Sequence, residues 1–295
     1  MPVQPGIATF RTLMMAAAFL LPGATAMADS AVWRVSDGNQ QIYLGGTVHL
    51  LRPSDYPLPA AFDMAYGEAD SVYFETDISA LSDVGTQMRM MQQLTYSDDR
   101  TLRSVLNDEA YAALSGYVAQ LGLPMAALEK FRPGLLVSTL QVLEFQQMGF
   151  TPEGVDAHFN ARAVDDGKPV GELESVESQI GYLARMGEGS ESEFVLLSLE
   201  DMEELGESIE DMVGAWRSGD NERLADLFVD ELREQVPDVY DVLLVERNNA
   251  WMPLIEDLFE RDGTEFVLVG AAHLVGEDGL LTQLEAKGYQ VSQLE

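Results

Sequence analysis

The chain has 295 residues, no cysteine, and 50 acidic against 17 basic residues, which gives a formal net charge of −33. Such an acidic surface argues against nucleic acids and anionic membranes as partners, because both are densely negative. Without cysteine, the chain can form no disulfide, no thiolate metal site and no lipid attachment at a thiol. The length suffices for one large domain with a substantial core.

Residues 1–28 have the features of a secretory signal peptide. A single basic residue precedes an apolar run from Leu13 to Leu21, and Ala26-Met27-Ala28 is a small-residue cleavage pattern. The apolar run is short for a membrane span. We therefore predict a cleaved leader, a periplasmic or secreted mature chain of residues 29–295, and no stable membrane insertion. A retained N-terminal anchor is the alternative.

The first predicted strands form a hairpin. Ala31 to Val35 and Gln41 to Leu44 are strand-like segments on either side of Ser36-Asp37-Gly38-Asn39, which is a strong turn signal. The return strand leads into Gly46-Thr47-Val48-His49. A helix over residues 57–66 and a short strand from Ser71 to Phe74 are expected next, and Glu75 follows that strand.

The same unit occurs again near the C-terminus. The apolar run Phe266 to Val269 ends in Gly270-Ala271-Ala272-His273, and a helix over 279–287 and a strand over 289–291 follow. Two of the three histidines therefore hold equivalent places. In open α/β sheets, ligands bind beyond the carboxyl ends of parallel strands, so we expect His49 and His273 to face one cleft. For each histidine alone, a structural role at a strand end is the alternative.

Between residues 81 and 262 the pattern is mainly helical, and we interpret this region as an insert. Lys168 to Ser175 interrupts it as a third short strand that ends near a carboxylate. Pro237 to Arg261 is predicted as one long helix that carries Arg247, with Trp251 on the same face. The sequence thus predicts an α/β fold of two pseudo-symmetric strand–Gly-x-x-His–helix–strand units, which form a central sheet within a single domain.

Several motifs in this order resemble the TraB/GumN family, which includes the Tiki-type metalloproteases. Besides the two Gly-x-x-His segments, the matching motifs are Tyr73-Phe74-Glu75-Thr76-Asp77, Gly154-Val155-Asp156-Ala157-His158-Phe159, Leu173-Glu174-Ser175, Trp216-x-x-Gly219-Asp220 and Arg247-Asn248-x-x-Trp251. The resemblance covers nearly the whole mature chain. It implies a fold similar to the erythromycin-esterase and ChaN-like proteins, with two related halves around the site.

The resemblance also implies a metal-dependent hydrolytic centre built from His49, Glu75 and His273. Two imidazoles and a carboxylate suit Mn²⁺ or Co²⁺, and also Zn²⁺ or Fe²⁺. Such an ion acidifies water and polarises a carbonyl group, as hydrolysis of a peptide or small-molecule substrate requires. Glu174 or Glu177 is then a candidate general base or supporting group. Surface exposure is the alternative for either one.

Arg247 is a candidate for clamping a substrate carboxylate or stabilising an oxyanion, because its planar fork matches such groups. A structural salt bridge is the alternative. His158 is expected to be a packing residue and not a third ligand.

Two other functions stay open. A haem-binding protein would need an apolar slot, which Met88, Met90 and Met91 could line, although core packing is the commoner role of methionine. A metal-independent esterase would use His49 as general base, oriented by Glu75. The role of His273 separates these hypotheses, because only the paired-histidine metal centre requires it.

Overall fold

One mixed sheet of six strands organises the protein. The structure, a computed structural model, describes residues 30–295, so the predicted signal peptide lies outside the described residues. The strand order is β4-β3-β5-β2-β1-β6. The strands are β1 (Val32–Ser36), β2 (Gln41–Thr47), β3 (Ser71–Phe74), β4 (Val170–Glu172), β5 (Glu265–Gly270) and β6 (Gln290–Gln293).

The centre of the sheet is a parallel pair formed by the two Gly-x-x-His strands. β2 pairs with β5, and the pairing of Thr47 with Gly270 brings their carboxyl ends to the same edge. β3 is parallel to β5 on its other side, and β4 is parallel to β3. β1 pairs antiparallel with β2 across the predicted hairpin turn. In this turn the Asp37 carboxylate accepts hydrogen bonds from the Asn39 and Gln40 amides.

Helices provide the rest of the described chain's regular structure, together with short 3-10 and π-helical turns. The helices are α1 (Ala60–Glu68), α2 (Val84–Gln93), α3 (Leu102–Val105), α4 (Asp108–Gln120), α5 (Pro133–Gln147), α6 (Val155–Asp166), α7 (Val176–Arg185), α8 (Glu191–Ser218), α9 (Asn221–Ala225), α10 (Glu231–Gln235), α11 (Pro237–Tyr240), α12 (Glu246–Leu258), α13 (Ala271–Leu274) and α14 (Leu280–Ala286).

Helices cover both faces of the sheet, as a largely parallel sheet requires. On one face, the rings of Phe62 from α1 and Phe159 from α6 pack against Phe266 of β5. On the other face, the backbone of Gly46 lies against Ala271 and Leu274 of α13. α12 packs beside α13, because the Trp251 ring lies 4.5 Å from the His273 ring. The sheet's carboxyl edge therefore lies between two helical layers.

A second apolar core lies among the helices that come between β3 and β5 in the sequence. α4, α5 and α8 contribute Leu114, Leu136 and Val195, all buried. α8 ends at Ser218, and the next residue, Gly219, closes the helix with a positive φ of 60° that glycine tolerates. Among residues 30–295, no helix combines the length and the apolar character that crossing a membrane requires.

The mixed α/β fold class is confirmed by this sheet and its helices. The two units are not placed identically, however, since β3 lies beside β5 whereas β1 separates β2 from β6. Their internal symmetry and the single-domain assignment stay predictions.

The prediction of one long helix over Pro237–Arg261 is wrong in detail. It is divided by a π-helical turn, Asp241–Val245, and its last part ends at Leu258. Residues 241–245 contain neither proline nor glycine, so the sequence gives no local sign of this turn.

Candidate functional site

Two carboxylates lie side by side where β3 and β4 end. The amide of Leu173 donates to the Phe74 carbonyl, and the amide of Glu174 donates to the Glu75 carbonyl at 2.8 Å. The strand pairing thus continues past both strands and fixes the two glutamates as neighbours. Both are almost fully buried, with side-chain exposures of 10% for Glu75 and 6% for Glu174. Two buried carboxylates that lie side by side require a nearby cation to compensate their charge.

Arg247 of α12 supplies that cation. Its Nη2 donates to Glu75 at 2.6 Å and to Glu174 at 2.7 Å, while Nε also lies 3.2 Å from Glu174. The guanidinium lies over the Trp251 ring at 4.6 Å, and the Trp251 indole donates to Glu174. The side chain of Arg247 is only 6% exposed. The guanidinium therefore neutralises a buried pair of carboxylates.

His273 is buried beside this ion cluster, and its tautomer is determined by its neighbours. The Nδ2 group of Asn248 donates to the carbonyls of His273 and Asp278, so its Oδ1 must accept from Nδ1–H of His273 at 2.7 Å. The Nε2 atom then carries a lone pair, which accepts from Nη1 of Arg247 at 2.9 Å. Nε2 also lies 3.9 Å from Glu75.

His49 lies at the same carboxyl edge of the sheet, two residues beyond the end of β2. Its Nδ1 atom pairs with Asp156 of α6 at 2.8 Å, and 68% of its side chain is exposed. α6 approaches this loop at Gly154, where a Cβ atom would overlap the backbone of Val48 and His49. A glycine at the first turn of α6 is therefore what lets Asp156 reach the imidazole.

Charges in the cluster shift several pKa values. Asp156 raises the pKa of His49 to about 9, with Glu75 adding to the effect and Arg247 opposing it, although solvent around the exposed ring screens these charges. Burial, together with the charge of Arg247, lowers the pKa of His273 to about 3. His273 is therefore neutral at physiological pH, which agrees with its lone pair on Nε2.

The two glutamates respond in opposite directions. Burial raises the pKa of Glu174 above its usual range despite Arg247. Burial also opposes ionisation of Glu75 and is the largest single effect, but Arg247, the neighbouring histidines and the Gly270 amide together outweigh it, and the pKa of Glu75 falls below its usual range. The amide of Gly270 adds to this by donating to Glu75 at 2.7 Å.

Most residues selected from the sequence lie in one region. Glu75, Glu174, Arg247 and His273 form one connected cluster, and His49 lies at its edge. Glu177 does not belong to it: this residue is exposed on α7 and lies 3.7 Å from Arg89. The roles given to these residues stay predictions.

The remaining histidine and the methionines lie away from the cluster's polar groups. His158 packs against the rings of Tyr56 and Phe159, as expected of a packing residue. Met88 and Met91 are exposed on α2, and Met90 packs beside a small apolar cluster around Val176 and Ile180. Haem binding stays a prediction that none of these contacts tests.

Three polar partners were not selected from the sequence, namely Asp156, Asn248 and the indole of Trp251. All three belong to motifs of the family resemblance, which was the available signal. Their positions next to the two histidines depend on packing between α6, α12 and the sheet, and this packing cannot be derived from local patterns.

The donor set fits a divalent cation in its chemistry. Both histidines bind an oxygen through Nδ1, an arrangement that orients imidazoles whose Nε2 atom serves as a metal ligand. The cluster already holds one positive charge beside Glu75 and His273, namely the guanidinium of Arg247. In the described part of the chain, no group of three or more His, Asp or Glu side chains is arranged to hold an ion as it stands. Metal binding there requires Arg247 to move.

Comparisons with known proteins agree with the motifs. A sequence profile of the TraB/PrgY/gumN family matches residues 31–293. The chain is 25% identical to the uncharacterized protein YbaP of Escherichia coli K12 over 246 aligned residues. The aligned region covers 82% of this chain and 87% of YbaP. The uncharacterized protein YbaP of Shigella flexneri matches with the same identity and coverage. No protein of solved structure gives a significant match.

Proposed function

Since this chain belongs to the TraB/PrgY/gumN family, we propose that it is an exported metal-dependent hydrolase, a Tiki-like peptidase or a related enzyme acting on small molecules. The ligands would be His49, Glu75 and His273. The ion would be Mn²⁺ or Co²⁺, with Zn²⁺ and Fe²⁺ as further candidates. When bound, such an ion would acidify a water molecule and polarise the substrate carbonyl.

One observation carries this proposal. His49 and His273, from opposite ends of the sequence, each bind a side-chain oxygen through Nδ1, and their partners are Asp156 and Asn248. Supporting oxygens of this kind fix the ring and the tautomer of metal-binding histidines and raise their basicity. The buried, ionised carboxylate of Glu75 beside His273 supplies the anionic ligand that the pair lacks.

The proposed roles of Arg247, Glu174 and His49 follow from their contacts. Arg247 keeps Glu75 ionised and holds it against Glu174. Glu174 has a raised pKa and receives the Trp251 N–H, so it is suited to take and return a proton. The exposure of the His49 ring supports a site that a substrate can reach from solvent.

Calorimetric titration with Mn²⁺, Co²⁺ and Zn²⁺ tests the centre. The variants are His49→Ala, His273→Ala and Glu75→Gln, and His158→Ala is the control because it removes an imidazole outside the cluster. Removal of either ligand histidine should abolish most binding, since ligands of one ion act as a unit. Glu75→Gln keeps the size, loses the charge and should weaken binding severely. His158→Ala should bind like the wild type.

The same titrations distinguish the other functions. Metal binding by His273→Ala that equals the wild type would overturn the paired-histidine centre. Haem binding would instead give a Soret band on titration with haem, with no need for divalent ions.

A metal-independent hydrolase is the second candidate, and the 2.8 Å pairing of His49 with Asp156 favours it. Asp156, and not Glu75 as expected from the sequence, is the carboxylate that binds this exposed imidazole, in the arrangement of a general base and its supporting acid. In that case His49→Ala abolishes activity in the presence of chelator, whereas His273→Ala mainly lowers stability.

A further inference from the structure

We propose that Arg247 is a resident cation that competes with the divalent metal for Glu75 and His273, and so sets the metal affinity of the site. This inference rests on the proposed metal centre. It adds a regulating residue that the ligand set alone does not contain.

The competition follows from the atoms that are shared. The Nε2 atom of His273 has a single lone pair, which accepts from Nη1 of Arg247 at 2.9 Å. An imidazole nitrogen in this state can accept that hydrogen bond or bind an ion, but it cannot do both. Arg247 also donates to Glu75 at 2.6 Å, and a second positive charge at that carboxylate would repel the guanidinium. Arg247 and a metal therefore exclude one another at His273.

The cluster also provides contacts that hold the guanidinium when it releases His273 and Glu75. Its Nε and Nη2 contact Glu174, and its plane lies over Trp251. None of these contacts uses Nη1, so they can be kept while Nη1 gives up the imidazole, and the Nε contact with Glu174 does not depend on Glu75 either. Glu174 thus serves as the anchor of Arg247, and Glu75 and His273 are the groups that it exchanges with the metal.

This arrangement explains how Glu75 and Glu174 can stay buried when no metal is bound. Without a cation, Glu75 and Glu174 would be uncompensated charges in the interior, which is strongly destabilising. Arg247 compensates them before metal arrives, and the stability of that ion pair is subtracted from the free energy of metal binding. A protein without Arg247 would bind metal more tightly and would be less stable when empty.

The test compares Arg247→Gln with Arg185→Gln. Each removes one positive charge, but Arg185 pairs on the surface with Glu246 and does not contact the cluster. Isothermal titration with Mn²⁺ and Zn²⁺ should show affinity roughly tenfold higher, or more, for Arg247→Gln than for the wild type, because a competing interaction of this kind changes affinity by about 5- to 150-fold. Arg185→Gln should bind like the wild type, which excludes a general effect of net charge.

Thermal unfolding supplies a second measurement in case Arg247→Gln is poorly folded. The empty variant should melt below the wild type, and saturating metal should raise its melting temperature by a larger interval than it raises that of the wild type. Equal or weaker affinity in Arg247→Gln, or failure of metal to restore an unfolded variant, overturns the competition. If the wild type binds metal in that case, the proposed centre survives. If neither protein binds, both proposals fail.

Discussion

Asn248 determines which nitrogen of His273 carries the proton. Its amide nitrogen is used by two carbonyl groups, so only its oxygen faces the ring, and Nδ1 must be the donor. Arg247 enforces the same tautomer from the other side, because a guanidinium can only donate. The buried imidazole is therefore held with its Nε2 lone pair toward the guanidinium of Arg247.

Asn248→Leu should release this tautomer. We expect metal affinity to fall by roughly 10- to 100-fold, as for other supporting residues of metal ligands. The free energy of unfolding should fall by about 1–3 kcal/mol because two carbonyls and a ring nitrogen lose their partner. Nitrogen NMR of His273 reports the tautomer directly. Asn249→Leu alters the exposed neighbour and should change neither quantity. An unchanged His273 spectrum in Asn248→Leu would contradict the assignment.

Gly154→Ala should separate Asp156 from His49. The added methyl group would overlap the backbone of residues 48 and 49, so α6 must shift. We expect a loss of about 1–3 kcal/mol in unfolding free energy together with weaker metal binding. Gly67→Ala is the matched control, because a methyl group there meets open space. It should be neutral or stabilise α1 by about 0.4–1 kcal/mol. Denaturant unfolding of both variants is the measurement.

The pH dependence of metal binding should follow His49. Its pKa is raised to about 9 by Asp156, and protons compete with the metal for Nε2. Affinity should therefore rise with pH up to about 9, and not level off near the ordinary histidine value of about 6.5. Asp156→Asn removes the charge and should return the plateau toward that value. NMR titration of His49 gives the pKa independently, and an ordinary value in the wild type would contradict the pairing.

The same shift gives a signed prediction for stability. A folded-state pKa above the unfolded value means that the His49–Asp156 pair stabilises the protein fully below about pH 6.5. This contribution is lost as the pH rises toward 9. Because the ring is largely exposed, the effect on unfolding should be small. Unfolding curves of the wild type minus those of Asp156→Asn should show the difference shrinking across this range.

Stability should rise with moderate salt. The net charge of −33 makes like-charge repulsion a large unfavourable contribution to the folded state. At about 0.1 M salt the screening length is about 10 Å, which weakens repulsion between separated surface acids. Thermal unfolding in increasing NaCl should show a rising midpoint, and reductants should have no effect because cysteine is absent. A midpoint that falls steadily over this range would show that attractive surface pairs dominate instead.

Export should remove residues 1–28. N-terminal sequencing of the protein from the cells that produce it is expected to start at Asp29. Recovery of the chain with Met1 in place would overturn the proposed location.

The sequence predicted the strands and the residues that follow them well. β2 and β5 are apolar runs closed by Gly-x-x-His, and Glu75 and Glu174 follow short strands as expected. Each of these features is local in the chain. The exposure of His49, the burial of His273 and the use of Arg247 as an internal cation were not predictable in the same way. They depend on how α6 and α12 pack onto the two faces of the sheet, which involves residues far apart in sequence.

The parallel pairing of β2 with β5 also determines when the site can exist during synthesis. β2 is made early, but its central neighbour is formed by residues 265–270, so its apolar edge has no native partner until the chain is almost complete. Closing so long a loop is slow, and an unpaired apolar strand invites aggregation during that interval. Both glutamates are synthesised before Arg247 and His273. The nascent protein therefore passes through a period with unpaired acids and an open sheet edge, in which a chaperone or an unfolded export route would protect it.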